Sequence, residues 1–189
     1  ACDSLMDTAP TASLGSEQIF SSASSAMTAV NGIYRAMYCA EWGPAWEHEN
    51  GGLMAYNLAS NLMSEDMIQT AMGSGWFYSD YAHRIGSDWD LSHGRQAQCW
   101  NFFYTLISNA NAVIAQEKNL TDDEDMAKYV VGQAYALRAY CYLWLVQNYQ
   151  QCDPTLPGVP VYTEPTTIES KGNGRGTVQD VYDRINEDL

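Results

Sequence analysis

Residues 121–149 constrain this chain more than any other stretch. Thr121 and Glu124 have the spacing of a Thr-x-x-Glu capping box, which satisfies two backbone donors at a helix start. Asp122, Asp123, Glu124 and Asp125 crowd the first turn, where negative charge meets the positive end of the helix dipole. Met126, Val130, Ala134, Leu137, Cys141, Trp144 and Asn148 then recur in steps of four and three, the helix period. A second stripe runs through Val131, Tyr135, Ala139, Tyr142 and Val146. Two apolar flanks predict a helix buried on two sides. At about 1.5 Å per residue it spans roughly 40 Å, so other helices must pack around it.

The remaining periodicity supplies those helices. From Ser16 a stripe of Phe20, Ala23, Met27, Val30, Tyr34 and Met37 predicts one continuous helix ending near Tyr38 to Trp42, before Gly43-Pro44. Residues 53–63 read as a second helix. Another begins near Gln96, with Trp100, Phe103, Ile107, Ala110 and Ile114 on its buried face. A short turn at Lys118-Asn119-Leu120 folds it back against 121–149 as an antiparallel hairpin. After Tyr149 comes a segment rich in Pro and Gly, in which Val159, Val161 and Tyr162 suggest a short extended piece. Thr177 and Asp180 start a last helix with Val178, Val181, Tyr182, Ile185 and Leu189 on one face. The fold class is therefore all-α. Paired antiparallel helices suggest tetratricopeptide-like hairpins with long loops, with a plain helical bundle as the alternative.

Residues 67–95 break this pattern. Gly73, Gly75, Gly86 and Gly94 interrupt any period, and the span reads as a long loop without regular helix. It carries Trp76, Phe77, Tyr78, Tyr81 and Trp89, with Arg84, Asp88 and His93 among them. Sugar recognition needs flat apolar faces for the pyranose C–H surface and planar polar groups for hydroxyls. Trp76, Tyr78, Tyr81 and Trp89 are candidate platforms, and Arg84, Asp88 and His93 candidate hydrogen-bonding groups. The competing reading is that these rings plug the loop onto the helices. Tyr135, Tyr140, Tyr142 and Trp144 of residues 121–149 read as core rather than ligand contacts.

Other chemistry is weaker. His48-Glu49 is half of a zinc-protease motif, but position 52 is Gly. Gly73-Ser74-Gly75 follows no strand and has no phosphate logic. Asp122 to Asp125 lacks the Gly and terminal Glu of a calcium loop. None of the carboxylates stands out as a hydrolytic pair. No metal or cofactor is expected.

The formal net charge is −14 with only nine Lys and Arg, which argues against nucleic acid. No apolar run approaches 18 residues, so no helix is expected to span a membrane. The chain opens Ala1-Cys2-Asp3-Ser4, like the cleavage junction of a bacterial lipoprotein, and residues 1–15 read as an extended tether. None of the five cysteines forms a C-x-x-C pair; mostly free thiols are expected, with Cys141 a buried small hydrophobe.

Several segments resemble the SusD/RagB family. Arg138-Ala139-Tyr140-Cys141-Tyr142-Leu143-Trp144-Leu145-Val146 resembles its R-A-Y-x-Y-x-x-L-V helix. Gly158-Val159-Pro160-Val161 resembles its G-V-P-L turn. Arg175 followed by Val181-Tyr182, Ile185 and Asp188-Leu189 resembles its R…V-Y-x-x-I-x-x-D-L segment. Asn31-Gly32-Ile33-Tyr34, Trp100 through Asn111 and the Cys2-Asp3-Ser4 start also fit. In place of the family's short Tyr-Gly-Asp step stands Gln150-Gln151-Cys152-Asp153-Pro154-Thr155-Leu156-Pro157, which leaves the shape of that corner open.

The resemblance implies a SusD-like N-terminal helical domain over 16–189, cut short at its C-terminal end. It implies an outer-membrane lipoprotein facing outward, lipidated at Cys2 and reaching the membrane only through that anchor. It also implies glycan binding without catalysis and delivery to a SusC-like TonB-dependent transporter. The rivals are a helical scaffold that docks the transporter without touching sugar, and a hydrolase.

Overall fold

The computed structural model describes residues 16–39, 49–83 and 94–189. The expectations for Cys2, the 1–15 tether, Arg84, Asp88, Trp89 and His93 lie outside these residues. The described chain is helical: α1 (Ser16–Ile19), α2 (Ala23–Tyr38), α3 (Leu53–Met63), α4 (Tyr78–Tyr81), α5 (Arg95–Ile114), α6 (Glu124–Tyr149) and α7 (Val178–Asp188). Among the described residues there is no strand, only one antiparallel bridge between Pro157 and Thr177. The extended piece suggested for Val159–Tyr162 is therefore irregular backbone.

Helix α6 is the centre. It packs against α5, α7 and α2. Val130, Ala134, Leu137 and Cys141 of the first stripe are buried, as are Val131, Ala139, Tyr142 and Val146 of the second. Facing them from α5 are Phe102, Phe103, Leu106, Ile107, Ala110 and Val113. Phe103 and Trp144 stack with centroids 4.2 Å apart, and Tyr56 of α3 meets Phe102 edge-on at 5.1 Å. Arg138 breaks the apolar run of α6. It donates two hydrogen bonds to Asp188 of α7, at 2.7 and 2.6 Å, and one to Asn111 Oδ1 of α5 at 2.7 Å. One buried guanidinium thus ties three helices together.

Two expectations at helix starts are corrected. The first helix is not continuous. Ser22 is the N-cap of α2, accepting from the Ser25 N–H at 3.0 Å, and Ser21 Oγ donates to the Gln18 carbonyl. Serine side chains that bond nearby backbone compete with the helix, so the chain breaks between α1 and α2. The cap of α6 is Asp123, not Thr121: its carboxylate accepts from the Met126 N–H at 3.0 Å. Asp122 serves α2 instead, accepting from the Ala23 N–H at 2.9 Å. The acidic run therefore caps two helices.

At α7 the expected start holds and Val178, Val181 and Ile185 are buried, but Tyr182 and Leu189 of the expected face are exposed. Thr177 and Asp180 form a reciprocal capping box. The backbone and hydroxyl of Thr177 both donate to the Asp180 carboxyl and hold it below its ordinary range. The 150–157 corner docks on this helix start: the Val178 N–H donates to Leu156 O, and the Gln179 N–H to Pro154 O. Gly158 is obligatory at the next turn, because a Cβ would collide with the Thr177 carbonyl. Arg175 locks that turn by donating to the carbonyls of Gly158 and Pro157.

Candidate functional site

The aromatic segment leaves α3 at Met63 and returns to the core at Arg95. Its bends are built by left-handed backbone at Gly73 and Gly75, and also at Phe77 (φ 56°). Phe77 caps a single helical turn, α4, within a span expected to hold none. The reason lies outside the local sequence. The Phe77 N–H donates to Glu49 Oε1 at 2.6 Å, so a distant carboxylate fixes the start of the turn.

The same carboxylate belongs to a half-enclosed ion cluster. Arg95 donates through Nη2 to Glu49 at 3.2 Å and to Asp80 at 3.1 Å, and through Nε to Asp80 at 3.1 Å. Its Nη1 donates to the Glu49 carbonyl at 2.9 Å. The guanidinium also lies over the Phe77 ring at 5.4 Å and the Tyr56 ring at 5.9 Å, within cation–π range. Burial alone would lower the Arg95 pKa, but the hydrogen bonds and charge of Asp80 prevail and raise it. Burial also pushes the neighbouring Cys99 thiol up to about 12, against the pull of Arg95.

The described candidate residues sit on this braced segment. The Trp76 residue is 51 % exposed, and its carbonyl accepts from Gln69 Nε2 at 3.1 Å. Tyr78 and Tyr81 are half-buried at the two ends of α4, with Asp80 buried between them. His83, with φ 54°, places Nε2 2.9 Å from the Met63 carbonyl and so ties the far end of the segment to α3. A partly exposed tryptophan on a fixed backbone can offer a flat apolar surface to a ligand.

The match to known proteins covers this segment. A family model described as SusD-like, starch-binding and associating with the outer membrane matches residues 48–189. The chain belongs to the SusD-like family. Two solved structures share the architecture of this SusD-like chain. One is a SusD-like carbohydrate binding protein from Bacteroides vulgatus, with a TM-score of 0.69 and 23% identity over 88% of this chain. The other is a SusD superfamily protein from Bacteroides thetaiotaomicron, with a TM-score of 0.63 and 17% identity over the same share. At these identities the likeness concerns the fold. The chain spans about a third of each, 34% and 36%. No curated protein matches it. Among the described residues no helix is long and apolar enough to cross a membrane.

The SusD-like segment is organised by residues that sequence reasoning passed over. In the sequence Glu49 stands out only as half of a zinc motif, and no pattern marks Asp80 or Arg95. Glu49 and Arg95 lie 46 positions apart, so no local pattern joins them. The one available signal was charge itself: acidic and basic residues inside an aromatic, glycine-broken stretch need partners when they are buried.

Proposed function

We propose that this SusD-like chain is the helical portion of an outer-membrane lipoprotein that binds glycan on its outward face. In this reading residues 1–15 are the tether, Cys2 carries the lipid and residues 16–189 are the helical domain. Trp76 and Trp89 are stacking platforms supported by Tyr78 and Tyr81, while Arg84, Asp88 and His93 bond sugar hydroxyls. The glycan is held without being cleaved and passes to a SusC-like TonB-dependent transporter. The observation that carries the reading is the half-exposed Trp76 residue on a segment braced by Glu49, Arg95 and Asp80, inside the span matched by a family described as starch-binding.

The test is a glycan panel, opened by starch-derived malto-oligosaccharides and followed by other neutral polysaccharides in affinity electrophoresis. At least one glycan should retard the folded protein and emerge with its chain length unchanged. A folded protein retarded by none would overturn the binding reading; shortened glycan would overturn the non-catalytic part. For the anchor, Cys2→Ser should release the protein from the outer membrane in cells lacking the transporter.

A second reading has its own support. Met63, Met67, Ile68 and Met72 leave α3 as an exposed apolar run. Such a run suits docking against another protein, and a scaffold that binds the transporter without sugar would use it. Polar substitutions at Met67 and Ile68 that abolish transporter capture from a protein binding no glycan would favour this alternative.

A further inference from the structure

A separate cleft of about 490 Å³ lies between α5 and the segment that follows α6. Trp100, Tyr104 and Ser108 line it from α5; Tyr162, Glu164 and Lys171 line it from the opposite wall. None of these residues belongs to the Trp76 segment.

That wall is irregular backbone, yet it is fixed at every step. The Tyr104 hydroxyl donates to Pro160 O at 2.7 Å. Asn111 donates to the carbonyls of Tyr162 and Glu164, at 3.0 and 3.1 Å, while Arg138 donates to Asn111 Oδ1. The Tyr142 hydroxyl accepts from the Tyr162 N–H at 2.6 Å and donates to its carbonyl at 2.9 Å. The Asn173 N–H donates to the Tyr162 hydroxyl, and its amide to Val161 O. The cleft is thus held open by the helical core, and a ligand entering it would have little ordering entropy to overcome.

These bonds occupy the wall's backbone and leave other groups free. Among the described residues no protein group pairs with the side chains of Ser108, Glu164 or Lys171. Trp100 and Tyr104 form a bent aromatic floor, with centroids 4.7 Å apart at 43°. An apolar floor under a hydroxyl, a carboxylate and an ammonium matches a neutral, hydroxyl-rich ring. Its C–H face rests on aromatic carbon, and its hydroxyls donate to the carboxylate and accept from the ammonium. An anionic ligand would meet Glu164 and a cationic one Lys171. The volume falls in the range of small-molecule sites, about 300–1,000 Å³, and suits one or two sugar rings.

We propose that this cleft is a second carbohydrate subsite, taking a neutral saccharide of one or two rings. The ligand class rests on the glycan reading above; the location does not. The test uses the ¹⁵N-labelled full chain and follows the indole N–H signals of Trp100 and Trp76, with maltose, cellobiose and lactose added separately. At least one disaccharide should move the Trp100 signal in wild type and in Trp76→Ala alike. The apparent Kd of that response should weaken by about tenfold or more in Ser108→Phe, which plugs the cleft, and in Lys171→Ala/Glu164→Gln. If Ser108→Phe fails to fold, the surface pair carries the test alone. A Trp100 signal that stays still while Trp76 moves overturns the cleft and leaves the glycan reading standing. A Trp100 response unchanged in the folded cleft variants also overturns it. If neither indole responds to any of the three sugars, the cleft proposal is overturned, and the glycan reading is decided by the polysaccharide panel alone.

Discussion

Arg138 pairs with one carboxylate, Asp188, and Arg95 with two, Glu49 and Asp80, but the larger difference lies in their surroundings. Arg138 lies in the densest part of the core, where its side chain and that of Asp188 are 2 % and 0 % exposed. The apolar stripes of α5, α6 and α7 would hold those helices together around it. Arg95 sits at the edge, 10 % exposed, with Glu49 at 30 %. The segment it holds has few apolar anchors: Met67, Ile68, Met72 and Trp76 all face solvent. In the first region packing sets the structure and the ion pair fixes register. In the second the ion cluster is itself the anchor, so the segment's order depends on it.

The largest effect should come from Arg138→Ala. It strips both hydrogen bonds from buried Asp188 and leaves it only the ion pair with Arg184 Nε at 3.3 Å, which makes no hydrogen bond. A cost of about 3–5 kcal/mol is expected in urea unfolding, the range for breaking a buried pair. A loss under about 1 kcal/mol would place Arg138 among ordinary exposed pairs.

Arg95→Met should cost somewhat less globally, about 2–3 kcal/mol: buried Asp80 loses its partner, while solvent reaches Glu49 and screens that half of the cluster. Its local effect should be larger. Amide exchange across residues 67–83 should accelerate while that of α6 stays at its wild-type rate. Equal acceleration in both regions would erase the distinction between them.

The smallest effect separates the two cap assignments. Asp123→Ala should cost about 1 kcal/mol, as for loss of an N-cap, and Thr121→Ala less than about 0.5 kcal/mol. The reverse order would restore Thr121 as the cap.

This contrast explains what was legible in the sequence. The α6 stripes, the 53–63 helix and the Thr177–Asp180 box all follow from contacts three or four positions apart, which periodicity reports directly. The break at Ser21-Ser22 and the choice of Asp123 over Thr121 turn on which of several adjacent polar side chains reaches the backbone. Asp122 capping α2 depends on a contact across 99 positions. In the candidate site the aromatics announced themselves by type, and Trp76 is exposed as a platform needs. The turn that carries Tyr78 and Tyr81 did not, because Glu49 and Arg95 create it from a distance. The cleft beside α5 was hidden for the same reason: Asn111 read as a helix residue, and its contacts to Tyr162 and Glu164 span more than 50 positions.

The most direct measurement is calorimetric titration of a glycan that retards the wild-type protein into Trp76→Ala and Trp89→Ala, with far-ultraviolet circular dichroism matched to wild type. Either substitution should weaken binding by about tenfold, since one decade is about 1.4 kcal/mol and stacking of a nucleic-acid base, taken by analogy, is worth about 1–3 kcal/mol. Wild-type affinity in both folded variants would contradict the assignment of glycan binding to this braced aromatic segment.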